Sequence, residues 1–282
     1  MSPGDADSQV VAKALNSHGY SFQQAVLDLC EKDRPKRVVG WWFEVAEFPV
    51  ETKGYGTRID FVLRYGNRDC FITAECKRAL GARWCFAKAK YSRRHATGLD
   101  VVAERITFEF DDPDSVESMG WSIGTSHDVY QIGVVATRSN KGGGRDDIED
   151  AASQCMKGLN GMINFFQRNV ENSRLFRNGE HVTILPVVFT TADLLVTDAD
   201  LAAADLKTGG IGDEVPVERR DWLCFEYNLS PGLKHEFSPR DRAYREIYEI
   251  AFCEFVRTIF IVRPEGISNF FDTLERDYLQ RT

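Results

Sequence analysis

Thr57-Arg58-Ile59-Asp60-Phe61-Val62-Leu63 and Cys70-Phe71-Ile72-Thr73-Ala74-Glu75-Cys76-Lys77 are two apolar runs of strand length. The polar stretch 64–69 joins them and carries a Gly66-Asn67 turn signal. This pattern predicts a β-hairpin. Side chains alternate between the faces of a strand, so Glu75 and Lys77 share a face, roughly 6–7 Å apart. Asp60 lies on the partner strand, where cross-strand pairing can bring it opposite them. Two carboxylates and an ammonium in an otherwise apolar hairpin are costly to bury and point to chemistry.

Mg²⁺ takes carboxylate, carbonyl and water oxygens at about 2.0–2.1 Å and keeps positions open for water and phosphate. Asp60, Glu75 and the backbone carbonyl of Cys76 are the candidate protein ligands, with Mn²⁺ expected to substitute. Lys77 is the candidate catalytic ammonium, placed to orient a water or to stabilise charge on a phosphorane-like transition state. A bare Glu-x-Lys is more often a surface ion pair. Here Asp60 precedes it by one hairpin, and both charged sites interrupt apolar strands.

The arrangement resembles the PD-(D/E)xK nuclease superfamily, the restriction-endonuclease-like fold. It stands here as Ile59-Asp60 followed by Glu75-Cys76-Lys77, with Ile59 where the name-giving proline would be. The resemblance implies an α/β fold, with a mixed central sheet flanked by helices and a C-terminal α/β elaboration. It also implies a Mg²⁺-dependent phosphodiesterase, foremost an endonuclease acting on DNA, of the stand-alone kind found in restriction and anti-phage defence. RNA as substrate stays open, as does an inactive scaffold subunit of a larger complex. The superfamily often adds an acidic residue from its first helix, and Gln23 or Gln24 stands there. Of the acidic residues on the next strand, Glu44 ranks ahead of Glu47. Without a third carboxylate, a single ion is expected. Several branches place a Gln, Lys or Tyr from a later helix beside the phosphate, a role open to Gln154 and Lys157. The stretch 183–194, which ends its strand in Thr190-Thr191-Ala192, and the segment 257–274 also resemble elements of uncharacterised bacterial proteins with this fold.

Composition sets limits. The chain has 282 residues, 43% hydrophobic and 28% charged, as in ordinary globular proteins. No Pro/Gly/Ser-rich linker divides it, so 1–282 is read as one domain, with a core at about 8–196 and an elaboration at about 197–282. No apolar run is long enough for a membrane span and no signal-peptide pattern opens the chain, which leads us to expect a cytoplasmic protein. Seven scattered cysteines without a CxxC pair read as reduced thiols, and five isolated histidines do not suggest a metal site. Net charge is −8, yet the stretch 77–94 holds Lys77, Arg78, Arg83, Lys88, Lys90, Arg93 and Arg94 and no acidic residue. With Trp84, Phe86 and Tyr91 interleaved, it is the expected nucleic-acid contact. Cutting both strands of a duplex suggests a homodimer or an activating partner protein.

Along the chain, helices are predicted at 8–18 and 21–32, the second capped by Ser21. The first carries the apolar stripe Val10, Val11, Ala14 and Leu15. A strand at 38–48 should end at Pro49. After the hairpin come a helix at 82–95, strands near 101–110 and 129–137, and a long helix from Asp146 or Asp147 to about 170. Strands at 182–190 and 222–228, a helix at 240–256 and a strand at 257–262 complete the reading. Glycines 142–144 lack the rest of a P-loop, and Asp111, Asp112 and Asp114 lack EF-hand spacing, so both read as solvated loops.

Overall fold

Helix α1 (Pro3–Ser17) and helix α2 (Tyr20–Asp33) meet at Gly19, which occupies the N-cap position predicted for Ser21. Its φ of 77° is one that glycine adopts without strain, and its carbonyl accepts from the N–H groups of Phe22 and Gln23 at 3.0 and 3.1 Å. Ser21 instead donates its hydroxyl to the Asn16 side chain at 3.0 Å. The stripe Val10, Val11 and Leu15 of α1 is exposed. The computed structural model describes residues 3–17, 19–36, 39–52, 55–66, 69–90, 103–108, 116–121, 127–137, 147–168, 181–230, 233 and 256–276. The predicted helix at 240–256 lies outside these residues except at its last position. Tyr91, Arg93, Arg94, glycines 142–144 and the aspartates at 111–114 lie wholly outside.

Strands β1 (Trp41–Thr52), β2 (Tyr55–Tyr65) and β3 (Cys70–Lys77) form an antiparallel meander. The chain continues through β4 (Arg83–Ala87), β5 (Ala103–Phe108), β6 (Val116–Trp121), β7 (Val129–Tyr130) and β8 (Ile132–Thr137) to helix α3 (Asp147–Arg168). Then follow β9 (His181–Thr190), β10 (Asp193–Thr197), β11 (Glu218–Arg220), β12 (Trp222–Asn228), β13 (Val256–Val262) and helix α4 (Ile267–Leu274). Among the described residues, the main sheet runs β1-β2-β3-β9-β13-β12-β7, with β5 on β9 and β6 on β5; the second runs β11-β10-β4-β8. The protein is therefore mixed α/β, with two mixed sheets and helices packed against them. Strands β12 and β13 sit inside the main sheet, so the expected elaboration from 197 onward is woven into the core.

Period-two alternation divides the core. Ile72 and Ala74 of β3 face one side, clustered with Val26 and Cys30 of α2 and with Phe270 and Phe271 of α4. Phe71 faces the other side and packs against Phe166 of α3, ring centroids 5.1 Å apart. Val50 and Ile59 lie against α3 at Gly161 and Gly158. A Cβ on Gly161 would come within 2.4 Å of the Val50 side chain, so the helix sits this close only because glycine is there.

Three predicted elements need correction. The strand at β1 does not end at Pro49 but runs through it, with Pro49 opposite Arg58. An edge strand tolerates the missing N–H. This edge is further blunted by a register shift between Phe43 and Val45, and the Phe43 N–H donates to the Glu31 carboxylate at 3.1 Å. The helix expected at 82–95 is absent over 83–87, where β4 forms with Trp84 and Phe86 buried. Parallel pairing with β10, Trp84 opposite Leu194, overrides the helical propensity of the alanine-lysine run. The strand expected at 129–137 is split at Gln131 between the two sheets. Its N–H donates to Ala87 O at 3.2 Å, and its side-chain oxygen accepts from Ala89 N–H at 3.0 Å.

Candidate active site

The end of the β2–β3 ladder makes the site. Its last paired residues are Phe61 and Ala74, so Asp60 and Glu75 stand where the strands begin to part. There the backbone N–H of Cys76 bonds to a side chain, donating to Asp60 Oδ2 at 2.7 Å. In a strand the N–H and C=O of one residue point to the same edge, so the Cys76 carbonyl is directed to the Asp60 side as well. On the opposite edge β3 pairs in parallel with β9, Glu75 opposite Val188 and Lys77 opposite Thr190. Alternation puts Thr73, Glu75 and Lys77 on the α3 face and Cys76 among the apolar side chains on the α2 face.

Lys77 is where the sheets separate. Strands β3 and β9 leave the main sheet side by side and pair again, still parallel, as β4 and β10. Threonines hold the crossing. Ala79 N–H donates to Thr191 Oγ1 at 2.8 Å, and Ala192 N–H to Thr190 Oγ1 at 3.1 Å. The Thr-Thr-Ala ending therefore has a physical role in fixing the chain just beyond Lys77.

Glu44 and Glu47, both on β1, are placed differently. Glu44 is exposed at the register shift. Glu47 lies opposite Asp60, between the pairs Ala46–Phe61 and Phe48–Ile59, with φ at +51°. A non-glycine residue held there costs about 1–3 kcal/mol, and such strain collects at functional sites. Counting back from Thr52 opposite Tyr55 reaches Glu47 opposite Asp60, so the signal was the register of the first hairpin.

The charges press on one another. Burial is the main cause pushing the Asp60 carboxyl up to about 6; the Cys76 N–H opposes it and the charge of Glu47 adds to it. Glu75 is pushed up to about 8, by burial first and then by Asp60, with Lys77 opposing and Glu47 adding. The buried Cys155 thiol on α3 is also raised, by burial and then by Glu75 and Asp60, which places that helix over the carboxylates. A glutamate that deprotonates near 4.5 when unfolded and near 8 when folded makes the native state hold the extra proton in between. Stability contributed by this group therefore falls as pH rises from about 4.5 to 8. Glu75→Gln removes that slope. In EDTA the variant is expected to melt a few degrees above wild type at pH 8 and level with it near pH 4.5, read by thermal denaturation across pH.

Of the other predicted residues, Gln23 is buried on α2, and its Nε2 donates to the Asp60 carbonyl at 2.6 Å, fixing the backbone beneath the carboxylate. Gln24 and Gln154 are exposed, and Lys157 is half-buried on α3. Within the described part of the basic stretch, three of the cations have partners. Arg78 donates to the carbonyl of Asn16 at the end of α1. Lys88 pairs with Asp128 at 2.8 Å and Asp198 at 3.4 Å, and Lys90 with Asp200 at 3.1 Å. Arg83 is exposed on β4, while Trp84 and Phe86 are core residues and offer bases no stacking surface.

An all-oxygen donor set with two partly buried carboxylates suits a hard divalent cation. Among the described residues no three His, Cys, Asp or Glu side chains form a ready metal cluster. No described helix is long and apolar enough to cross a membrane. Compared with family models, curated proteins and solved structures, the chain matches none.

Proposed function

We propose that this protein is a metal-dependent nuclease that hydrolyses phosphodiester bonds, foremost in DNA. The observation that carries the reading is the junction at Asp60, Glu75 and Lys77, where two partly buried carboxylates and an ammonium lie at the parting of β2 and β3. The order of helix, three strands, helix and strand in α2, β1, β2, β3, α3 and β9 supports a restriction-endonuclease-like core, with β4 to β8 inserted before α3.

Asp60 and Glu75 would hold the cation with the Cys76 carbonyl. When bound, Mg²⁺ would polarise the scissile phosphate and lower the pKa of a coordinated water. Lys77 offers a fixed ammonium to orient the attacking water and to stabilise the charge that builds on the phosphoryl oxygens. Gln23 keeps the Asp60 backbone in place, and α3 covers the carboxylates.

The test is incubation of supercoiled plasmid, single-stranded DNA and RNA with the purified chain in Mg²⁺, Mn²⁺ or EDTA, alongside calorimetric Mn²⁺ titration. Cleavage that EDTA abolishes, with Mn²⁺ binding that tightens from pH 6 to 8 as the carboxyls lose their protons, is the expected result. Neither cleavage nor Mn²⁺ binding at pH 8 would overturn the reading.

A further inference from the structure

We propose that the groove between the β1–β2 hairpin and α3 seats the backbone of a single nucleic-acid strand beside the cut, with Arg58 and Arg168 as its phosphate contacts. This rests on the nuclease reading and names the form of its substrate.

The groove has a volume of about 560 Å³ and is walled by Thr57, Arg58, Gly161, Asn164, Phe165 and Arg168 among others. That lies within the roughly 300–1,000 Å³ of sites for small ligands. That volume has room for nucleotide units of one strand. Its chemistry combines exposed cations with an aromatic wall, the pairing that single-strand sites use for backbone and bases. Phe165 supplies the ring, set edge-on against Phe48 at 5.0 Å. Asn164 reaches along the wall to the Glu51 carbonyl at 3.3 Å.

Both guanidiniums are exposed, at 68% and 65%, and among the described residues each is paired with one carboxylate: Arg58 with Glu47 at 3.7 Å, Arg168 with Glu51 at 2.7 Å. Exposed pairs of this kind contribute little to stability, so a phosphate can replace either carboxylate at little cost. The groove and the site are neighbours along the same two strands. Arg58 stands two residues before Asp60 on β2, and its partner Glu47 lies opposite Asp60 on β1.

The test is fluorescence anisotropy with a 5′-fluorescein single-stranded DNA oligonucleotide in Ca²⁺, for wild type, the double variant Arg58→Gln/Arg168→Gln, and Arg219→Gln as a control on distant β11. Each lost phosphate contact lowers the salt slope of single-strand binding by about 0.7. The double variant is therefore expected to bind at least tenfold more weakly with a slope reduced by about 1.4, the control unchanged. Wild-type cleavage with unaltered binding by the double variant would overturn the groove and leave the nuclease standing. Plasmid cutting with no oligonucleotide binding by wild type would do the same. Absence of both metal binding and cleavage would remove the two together.

Discussion

Lys77→Ala is expected to lower metal-dependent cleavage by roughly 10²–10³-fold and to leave Mn²⁺ binding in place. That is the usual cost of removing one fixed group from the developing charge of a transition state. The split between rate and binding follows from position. Lys77 lies one residue past the Cys76 backbone and opposite Thr190, at the point where β3 and β9 leave the main sheet. Its ammonium is next to the carboxylates without being an oxygen donor to a cation. Asp60→Ala should behave differently and lose both cleavage and Mn²⁺ binding, because it removes a proposed ligand and the acceptor of the Cys76 N–H together. Single-turnover rates measured beside calorimetric Mn²⁺ titration separate the two roles. If Lys77→Ala cut at the wild-type rate, the proposed role of the ammonium would be wrong.

The largest expected change in stability comes from the other end of the same hairpin. Arg64 and Asp69 flank its turn and pair at 2.7 Å, with side chains only 11% and 3% exposed. The guanidinium lies 5.4 Å over the Phe71 ring, and the Asp69 carbonyl accepts from Thr183 N–H at 2.9 Å, joining the turn to β9. Asp69→Ala takes the carboxylate from a largely sequestered guanidinium, a change that typically costs about 3–5 kcal/mol. Urea unfolding should show a lower midpoint with an unchanged slope. The pair Arg64→Met/Asp69→Leu should recover much of the loss, because apolar residues of similar volume carry no desolvation penalty. A full-sized loss in that double variant would mean that the pair does more than satisfy its own charges.

Reading from residues to fold succeeded where structure is local. The β2–β3 hairpin, helix α2 and the long α3 each follow from periodicity over a contiguous stretch, and they formed close to where the pattern put them. It failed at β4, where Arg83–Ala87 pairs with β10 more than a hundred residues away. A helix was expected there, and the partner that makes Trp84 and Phe86 strand residues lies far along the chain. Glu47 was ranked below Glu44 for a different reason. Its strand was recognised, but the strand was ended at Pro49, and without its last residues the register on β2 could not be counted.

What the sequence determined by itself is the content of the site. Asp60, Glu75 and Lys77 lie within one hairpin, and period-two alternation is enough to bring them near one another. Only the tertiary structure decided what surrounds them. Burial beneath α3 raises the two carboxyl pKa values, Gln23 is chosen over Gln24 by the face of α2 that packs, and Glu47 joins from a third strand. The lysines of the basic stretch are matched with aspartates from distant loops, and a groove opens where glycine lets α3 approach β1. Each of these depends on contacts between residues far apart in the chain, and periodicity within one segment carries no information about its partners.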